Sequence, residues 1–158
     1  MATTALIVLL HLGPWELTLE LGPPERCRAT VFAYPGDRYV GGVAPALGRV
    51  PRGTDWLVAH RSLPLRSWVR VCRGSRCAWA PVMDRGPYMM RMADGAVVNA
   101  AHLPRVERTG RWRGCVDLTP PVAASIDLPG RGHLRAGRVE VRPLRLQLRR
   151  TPAPRQEV

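Results

Sequence analysis

Strand-like alternation dominates the chain. The stretch Trp15-Glu16-Leu17-Thr18-Leu19-Glu20-Leu21 puts Leu17, Leu19 and Leu21 on one face and Glu16, Thr18 and Glu20 on the other. The apolar run Ala5-Leu6-Ile7-Val8-Leu9-Leu10 precedes it. Together they predict a β-hairpin over residues 1–22 that turns at Gly13-Pro14. The run is too short for a spanning helix. It has no positively charged n-region and a poor cleavage site for a signal sequence, and the Met1 start also reads against removal. The apolar face of this hairpin must pack on the rest of the protein or on a partner.

After the turn at Gly22-Pro23-Pro24, further strands are predicted at 28–34, 57–60, 68–72, 77–83, 116–118 and 138–141. A short strand is also possible at 39–43, within the glycine- and proline-rich stretch 35–54. Residues 144–148 either extend the last strand or form another. One short helix is expected within 119–126, with Thr119 as its N-cap and Pro120 and Pro121 in its first turn. Residues 88–113 have no clean period and read as a long inserted loop, with room for a short strand or helix. Residues 151–158 read as a tail. Many short strands and one helix predict a mainly β fold.

Composition sharpens this picture. The 158 residues suit one domain with one core, and Gly 15 and Pro 16 fit strands joined by turns. The formal charge is +12, and all 24 basic residues are arginine. Arginine is a planar, multi-donor group suited to carboxylates and phosphates, so the charge points to an anionic partner. Candidates are a wall polymer such as peptidoglycan, an acidic neighbouring subunit, or nucleic acid. A coding bias of the source genome yields the same usage. The nucleic-acid reading rests on charge alone: the chain has no zinc-finger spacing, no RNA-binding aromatic pair and no basic helix. In the segment 142–150, Leu144, Leu146 and Leu148 share one face and Arg145 and Arg149 the other. That is either a solvated edge strand or a charged docking strip.

Four cysteines, Cys27, Cys72, Cys77 and Cys115, allow three pairings. Cys72 and Cys77 flank a turn and could close a hairpin, which leaves Cys27 with Cys115. Free buried thiols are the alternative. The spacing is not that of a zinc knuckle, and His11, His102 and His133 show no ligand spacing, so no metal or cofactor is expected. Disulfides imply an extracytoplasmic or virion setting, with a cytoplasmic one left open.

Candidate chemistry centres on Val82-Met83-Asp84-Arg85-Gly86-Pro87-Tyr88, an acid held at a strand end before a sharp turn. Ala59-His60-Arg61-Ser62-Leu63-Pro64 lies upstream and Gly114-Cys115-Val116-Asp117-Leu118-Thr119 downstream. In this order, with Ala29-Thr30-Val31-Phe32-Ala33-Tyr34 before them and Gly137-Arg138-Val139-Glu140-Val141 after, the chain resembles the RlpA-like double-psi β-barrel family, relatives of expansin and lytic transglycosylase barrels. The resemblance covers roughly 27–143. It implies a six-stranded barrel with one short helix and a groove for polysaccharide. The hairpin 1–22, the insertion 88–113 and the basic extension 144–158 would then be additions.

The resemblance makes Asp84 the catalytic acid, His60 the groove histidine and Asp117 a structural aspartate. Arg85, Tyr88, Trp56 and Trp68 are candidate glycan contacts. The family's usual glutamate, about eleven residues before the histidine, is Arg49 here, and Asp55 is the weak substitute. A glycosidic acid needs a raised pKa, and a nearby arginine lowers it. The expectation is therefore a peptidoglycan-binding barrel or a weakened lytic transglycosylase. The alternative is a structural subunit of a phage tail or another virion assembly.

Overall fold

A computed structural model of the chain describes residues 7–33, 43–100, 103–128 and 137–150. In chain order the strands are β1 (Ile7–Leu12), β2 (Trp15–Leu21), β3 (Glu25–Val31), β4 (Val58–His60), β5 (Trp68–Arg73) and β6 (Arg76–Asp84). Then come β7 (Met89–Arg91), β8 (Val97–Asn99), β9 (Arg111–Trp112), β10 (Val116–Leu118), the helix α1 (Pro120–Ser125) and β11 (Gly137–Arg150).

Six strands close a barrel. Around the wall they run β3, β10, β4, β6, β5 and β11, and β11 pairs back onto β3. The β3–β10 and β4–β6 pairs are parallel and the other four antiparallel. The period of two sets the interior. Val69 and Val71 of β5, Ala78, Ala80 and Val82 of β6, and Val139 and Val141 of β11 all point inward. These side chains are small or β-branched, as the narrow bore of a six-stranded barrel requires. Val122, Ala123 and Ile126 of α1, with Leu128, join the same core. Leu128 packs so tightly under Gly137 that a Cβ there would clash with its Cδ1.

Both disulfides follow the anticipated pairing. Cys72 and Cys77 are direct cross-strand partners in the β5–β6 hairpin, and Cys27–Cys115 ties β3 to the approach to β10. A link spanning 88 residues restricts the unfolded chain strongly, worth about 4–5 kcal/mol on a chain-entropy basis.

Three local expectations need correction. β3 starts at Glu25 and ends at Val31, a shift of three residues from 28–34 at each end, because Glu25 and Arg26 pair with Val141 and Glu140 of β11. Thr119 is the N-cap of α1 by position, but its side chain makes no capping bond. Its Oγ1 instead donates to Leu57 O at 2.9 Å and accepts Leu57 N–H at 3.3 Å, tying the helix entry to the approach to β4. The insertion 88–113 is not simply a loop: β8, β7 and β9 form a three-stranded sheet around the buried Met90. Residues 144–148 extend the last strand, the first of the two expected alternatives, and the strand runs on to Arg150. β11 leaves the barrel at Pro143 and pairs with β2 from Leu144↔Leu21 to Arg150↔Trp15. Residues 39–42 of the expected strand at 39–43, the tail 151–158, residues 1–6, His102 and His133 lie outside the described residues.

Candidate functional site

The end of the barrel where β6 stops collects most of the predicted polar residues. β6, β4 and β10 are neighbours, with Asp84 paired to Ala59 and Ala59 to Asp117. The two aspartates thus flank Ala59 on either side of β4. Asp84 is only 4% exposed, and its Oδ1 accepts the N–H of Arg85 at 2.7 Å. The chain then turns through a cis Gly86-Pro87 bond. Gly86 sits at φ 151°, and a Cβ there would come within 2.9 Å of Asp117 Oδ2. Glycine is needed because the turn backbone lies against that carboxylate.

Arg85 folds back across the cluster. Its Nη1 donates to His60 O at 3.2 Å and to Leu63 O. Arg61 leaves the same loop in the other direction, donates to Gly114 O, and stacks over the Trp112 ring at 4.6 Å from its centroid. Burial lowers the Arg61 pKa, against the charges of Glu25 and Asp117. Burial, with the negative charge of Asp84, raises the Tyr88 hydroxyl above its usual range. Asp84, Arg85, Tyr88, Asp117 and Arg61 therefore form one charged cluster, with the inserted sheet against it through Trp112.

His60 is 1% exposed, and both its ring nitrogens are engaged. Nδ1 accepts the N–H groups of Ser62 at 3.3 Å and Leu63 at 3.1 Å. The proton must then sit on Nε2, which donates to Glu25 Oε2 at 3.2 Å. Burial lowers the ring's pKa and the Glu25 carboxylate opposes it. Burial prevails on geometric grounds, since a protonated Nδ1 would be a donor facing two donors. The imidazole is thus fixed by Glu25 and by its own loop, with neither nitrogen free to shuttle a proton in this arrangement.

Arg49 and Asp55 are brought together. Arg49 Nη2 and Nη1 grip the two Asp55 oxygens at 2.5 and 2.8 Å, and Arg52 N–H donates to Oδ2 at 2.7 Å. The Arg49 guanidinium holds the Asp55 carboxyl below its ordinary range, so Asp55 stays ionised where a general acid must carry a proton. The tryptophans stand elsewhere. Trp56 Nε1 donates to Trp79 O at 2.7 Å. Trp68 lines an apolar hollow with Trp79, Val8, Leu19, Leu21 and Leu144.

One larger feature escaped the sequence reading. A cleft of about 1070 Å³ on the outer barrel wall is lined by Arg26, Arg28, Arg70 and Arg138, with the Cys72–Cys77 hairpin and Glu140. Arg28 and Arg138 are direct cross-strand partners. Glu140, the cleft's carboxylate, is already shared by Arg26 at 3.2 Å and Arg142 at 2.7 Å, which hold its pKa down. The available signal was arginine alternating with inward residues in Arg26-Cys27-Arg28-Ala29, Arg70-Val71 and Arg138-Val139. Glu25, Cys27 and Cys115 also group closely enough for a metal, but both sulfurs are spent in the disulfide.

No protein-family model matches the chain, and no curated protein matches it. The fold itself is a six-stranded mixed β-barrel, consistent with the double-psi β-barrel superfamily. Some families of that superfamily bind glycan or peptidoglycan. No helix among the described residues is long and apolar enough to cross a membrane.

Proposed function

We propose that this barrel binds an anionic cell-wall glycan, with peptidoglycan as the first candidate, and does so without cleaving it. The observation that carries the reading is the arginine-lined cleft. Four arginines line one concave wall; Arg26 shares Glu140 with Arg142, Arg70 bonds Cys77 Sγ, and Arg28 and Arg138 stand opposite each other across the β3–β11 pair. Such a wall favours a ligand that brings its own carboxylates or phosphates in bidentate geometry. The polar barrel end then supplies further contacts, with Arg85 and Tyr88 as the sugar-facing groups and Asp117 as the carboxylate that fixes the turn.

Binding is preferred to cleavage for chemical reasons. A lytic transglycosylase still needs one group that gives and takes a proton near neutral pH. His60 has both nitrogens occupied, and Asp55 is locked as an anion by Arg49. Asp84 remains the one candidate acid; it is buried, and its Oδ1 is engaged by the N–H of Arg85.

The test is co-sedimentation with purified peptidoglycan sacculi, with mass analysis of any sugars released. Wild type should sediment with the sacculi and release nothing. Arg28→Glu with Arg138→Glu should lose binding, and Asp84→Ala should keep it. Anhydro-muropeptides that depend on Asp84 would overturn the binding-only reading. Preference for duplex DNA over sacculi would overturn the glycan. A second reading, a structural subunit of a phage tail or other virion assembly, is favoured by one observation: the strands added to the barrel expose an apolar face.

A further inference from the structure

The outer half of β11 and the β1–β2 hairpin form a three-stranded sheet projecting from the barrel. Register assigns its faces. Leu146, Leu19 and Val8 lie in one row; Leu148, Leu17 and Leu10 in the next; Arg150, Trp15 and Leu12 at the tip. This face is apolar until Arg150. The other face carries Glu16 opposite Arg149 and Glu20 opposite Arg145, two cross-strand pairs of opposite charge.

The apolar face is open. Leu146 is 61% exposed, Leu148 58% and Leu12 55%, and Val8, Leu10 and Trp15 are each about two-fifths exposed. Where this sheet meets the barrel, Val8, Leu19, Leu21 and Leu144 face Trp68 and Trp79 across a wholly apolar hollow of about 360 Å³. The exposed parts of the six open side chains and the two tryptophans amount to roughly 800 Å² at typical side-chain areas. That exceeds the ~300–600 Å² of the largest patch on an ordinary monomer. It equals the ~800 Å² that each partner contributes to a standard specific interface.

We propose that a second copy of this chain covers the face, through an isologous two-fold packing of the two extensions. Three features favour a second copy. The area suffices for a stable dimer. Arg145 and Arg149 lie on the opposite face, each across from a glutamate, so two copies of a +12 chain that meet through the apolar face bring only Arg150, at its tip, into the contact. The face also carries its own knob and hole: the Trp15 tip stands at one end and the hollow at the other. A two-fold axis through the middle of the sheet places each tip over the partner's hollow, as an isologous interface requires. The sheets then stack about 10 Å apart, like the halves of a sandwich. This inference is independent of the glycan-binding reading, since the arginine-lined cleft lies on another part of the wall.

The experiment is sedimentation velocity on the full chain at about 5–50 μM, in low and in high salt. The expected species has twice the 17.5 kDa chain mass and persists in high salt, because apolar burial is not screened. Leu146→Asp with Leu148→Asp should give a monomer with an unchanged circular dichroism spectrum. A second variant covers the case in which that pair fails to fold. Trp15→Cys with Trp68→Cys should form an intermolecular disulfide on oxidation, giving a covalent dimer on non-reducing gels. A monomer throughout the concentration range would overturn the proposal. So would a dimer unaffected by the Leu146→Asp and Leu148→Asp changes, or an absence of cross-linking in a folded double-cysteine variant.

Discussion

Lowering the pH from about 7.5 to about 5.5 should destabilise the protein through His60. The buried ring is neutral, with Nδ1 accepting from Ser62 and Leu63 and Nε2–H donating to Glu25. Its folded pKa lies below the ordinary 6.5, mainly through burial. The unfolded chain therefore binds more protons than the folded one between the depressed value and 6.5. Stability is intact above 6.5 and is lost as the pH falls through that window. If the folded value lies below the whole interval, the loss approaches about 1.4 kcal/mol, one proton's worth over the unit below 6.5. The assay is urea unfolding followed by tryptophan fluorescence, comparing wild type with His60→Asn. Asparagine Oδ1 can still accept the two loop N–H groups but cannot titrate. The variant should be less stable at the higher pH, having lost the Glu25 bond and ring packing, and should lack the His60 component of the pH dependence. Subtracting its profile cancels the other titrating groups. Equal pH dependence in the two proteins would refute the neutral-ring geometry. So would a wild type that gains stability relative to the variant as the pH falls, since that requires Glu25 to outweigh burial.

Thr119→Val keeps the shape of a fully buried side chain but removes the hydroxyl that serves both Leu57 backbone groups. It should cost about 2–3 kcal/mol, against about 1 kcal/mol for Thr119→Ser, which loses only a methyl group. Thermal melts of the two variants decide this, and an equal cost for both would rule out the hydroxyl bridge. Gly86→Ala should cost roughly 1–3 kcal/mol, because its Cβ would meet Asp117 Oδ2 on a backbone that L-residues rarely adopt. Asp117→Ala should relieve part of that cost, seen as a non-additive double-mutant cycle in denaturant unfolding. Cys27→Ser with Cys115→Ser should lower stability by about 4–5 kcal/mol through the 88-residue separation, more than Cys72→Ser with Cys77→Ser across only 5. Unfolding midpoints measured without reductant would show the order.

The period-two pattern made much of the barrel legible. Val69, Val71, Ala78, Ala80 and Val82 alternate with outward residues so regularly that β5, β6 and their connecting turn could be placed within a residue or two. The hairpin at Gly13-Pro14 was legible for the same reason. The sheet inside 88–113 was not, because its strands are only two or three residues long and give no period to read. Thr119 shows a different limit: sequence marks a helix start but cannot tell that its hydroxyl is drawn away by Leu57, 62 residues earlier. The site divides similarly. Asp84, Arg85, Tyr88 and Asp117 were named from motifs, and the barrel end does gather them. Arg26, Arg28, Arg70 and Arg138 come from three strands that meet only through the closure of β11 onto β3 and β5. No local window contains that cleft.

The placement of those arginines bears on whether they reflect coding bias or selection for a ligand. Bias alone raises the number of arginines without regard to strand register. Yet Arg28 and Arg138 occupy directly opposed positions on an antiparallel pair, and neither has an ion-pair partner among the described residues. Like charges so opposed are destabilising by about 0.2–1 kcal/mol. A bound anion would turn that repulsion into two attractions. Arg138→Gln should therefore stabilise the free protein slightly in low salt, with the gain shrinking as salt screens the pair. The same change should weaken sacculus binding. Unfolding curves at two salt concentrations and the co-sedimentation assay measure the two effects on one variant. A gain in stability with undiminished binding would mark the pair as a tolerated by-product of composition. A loss of both would show that Arg138 supports the fold through packing of its stem along β11.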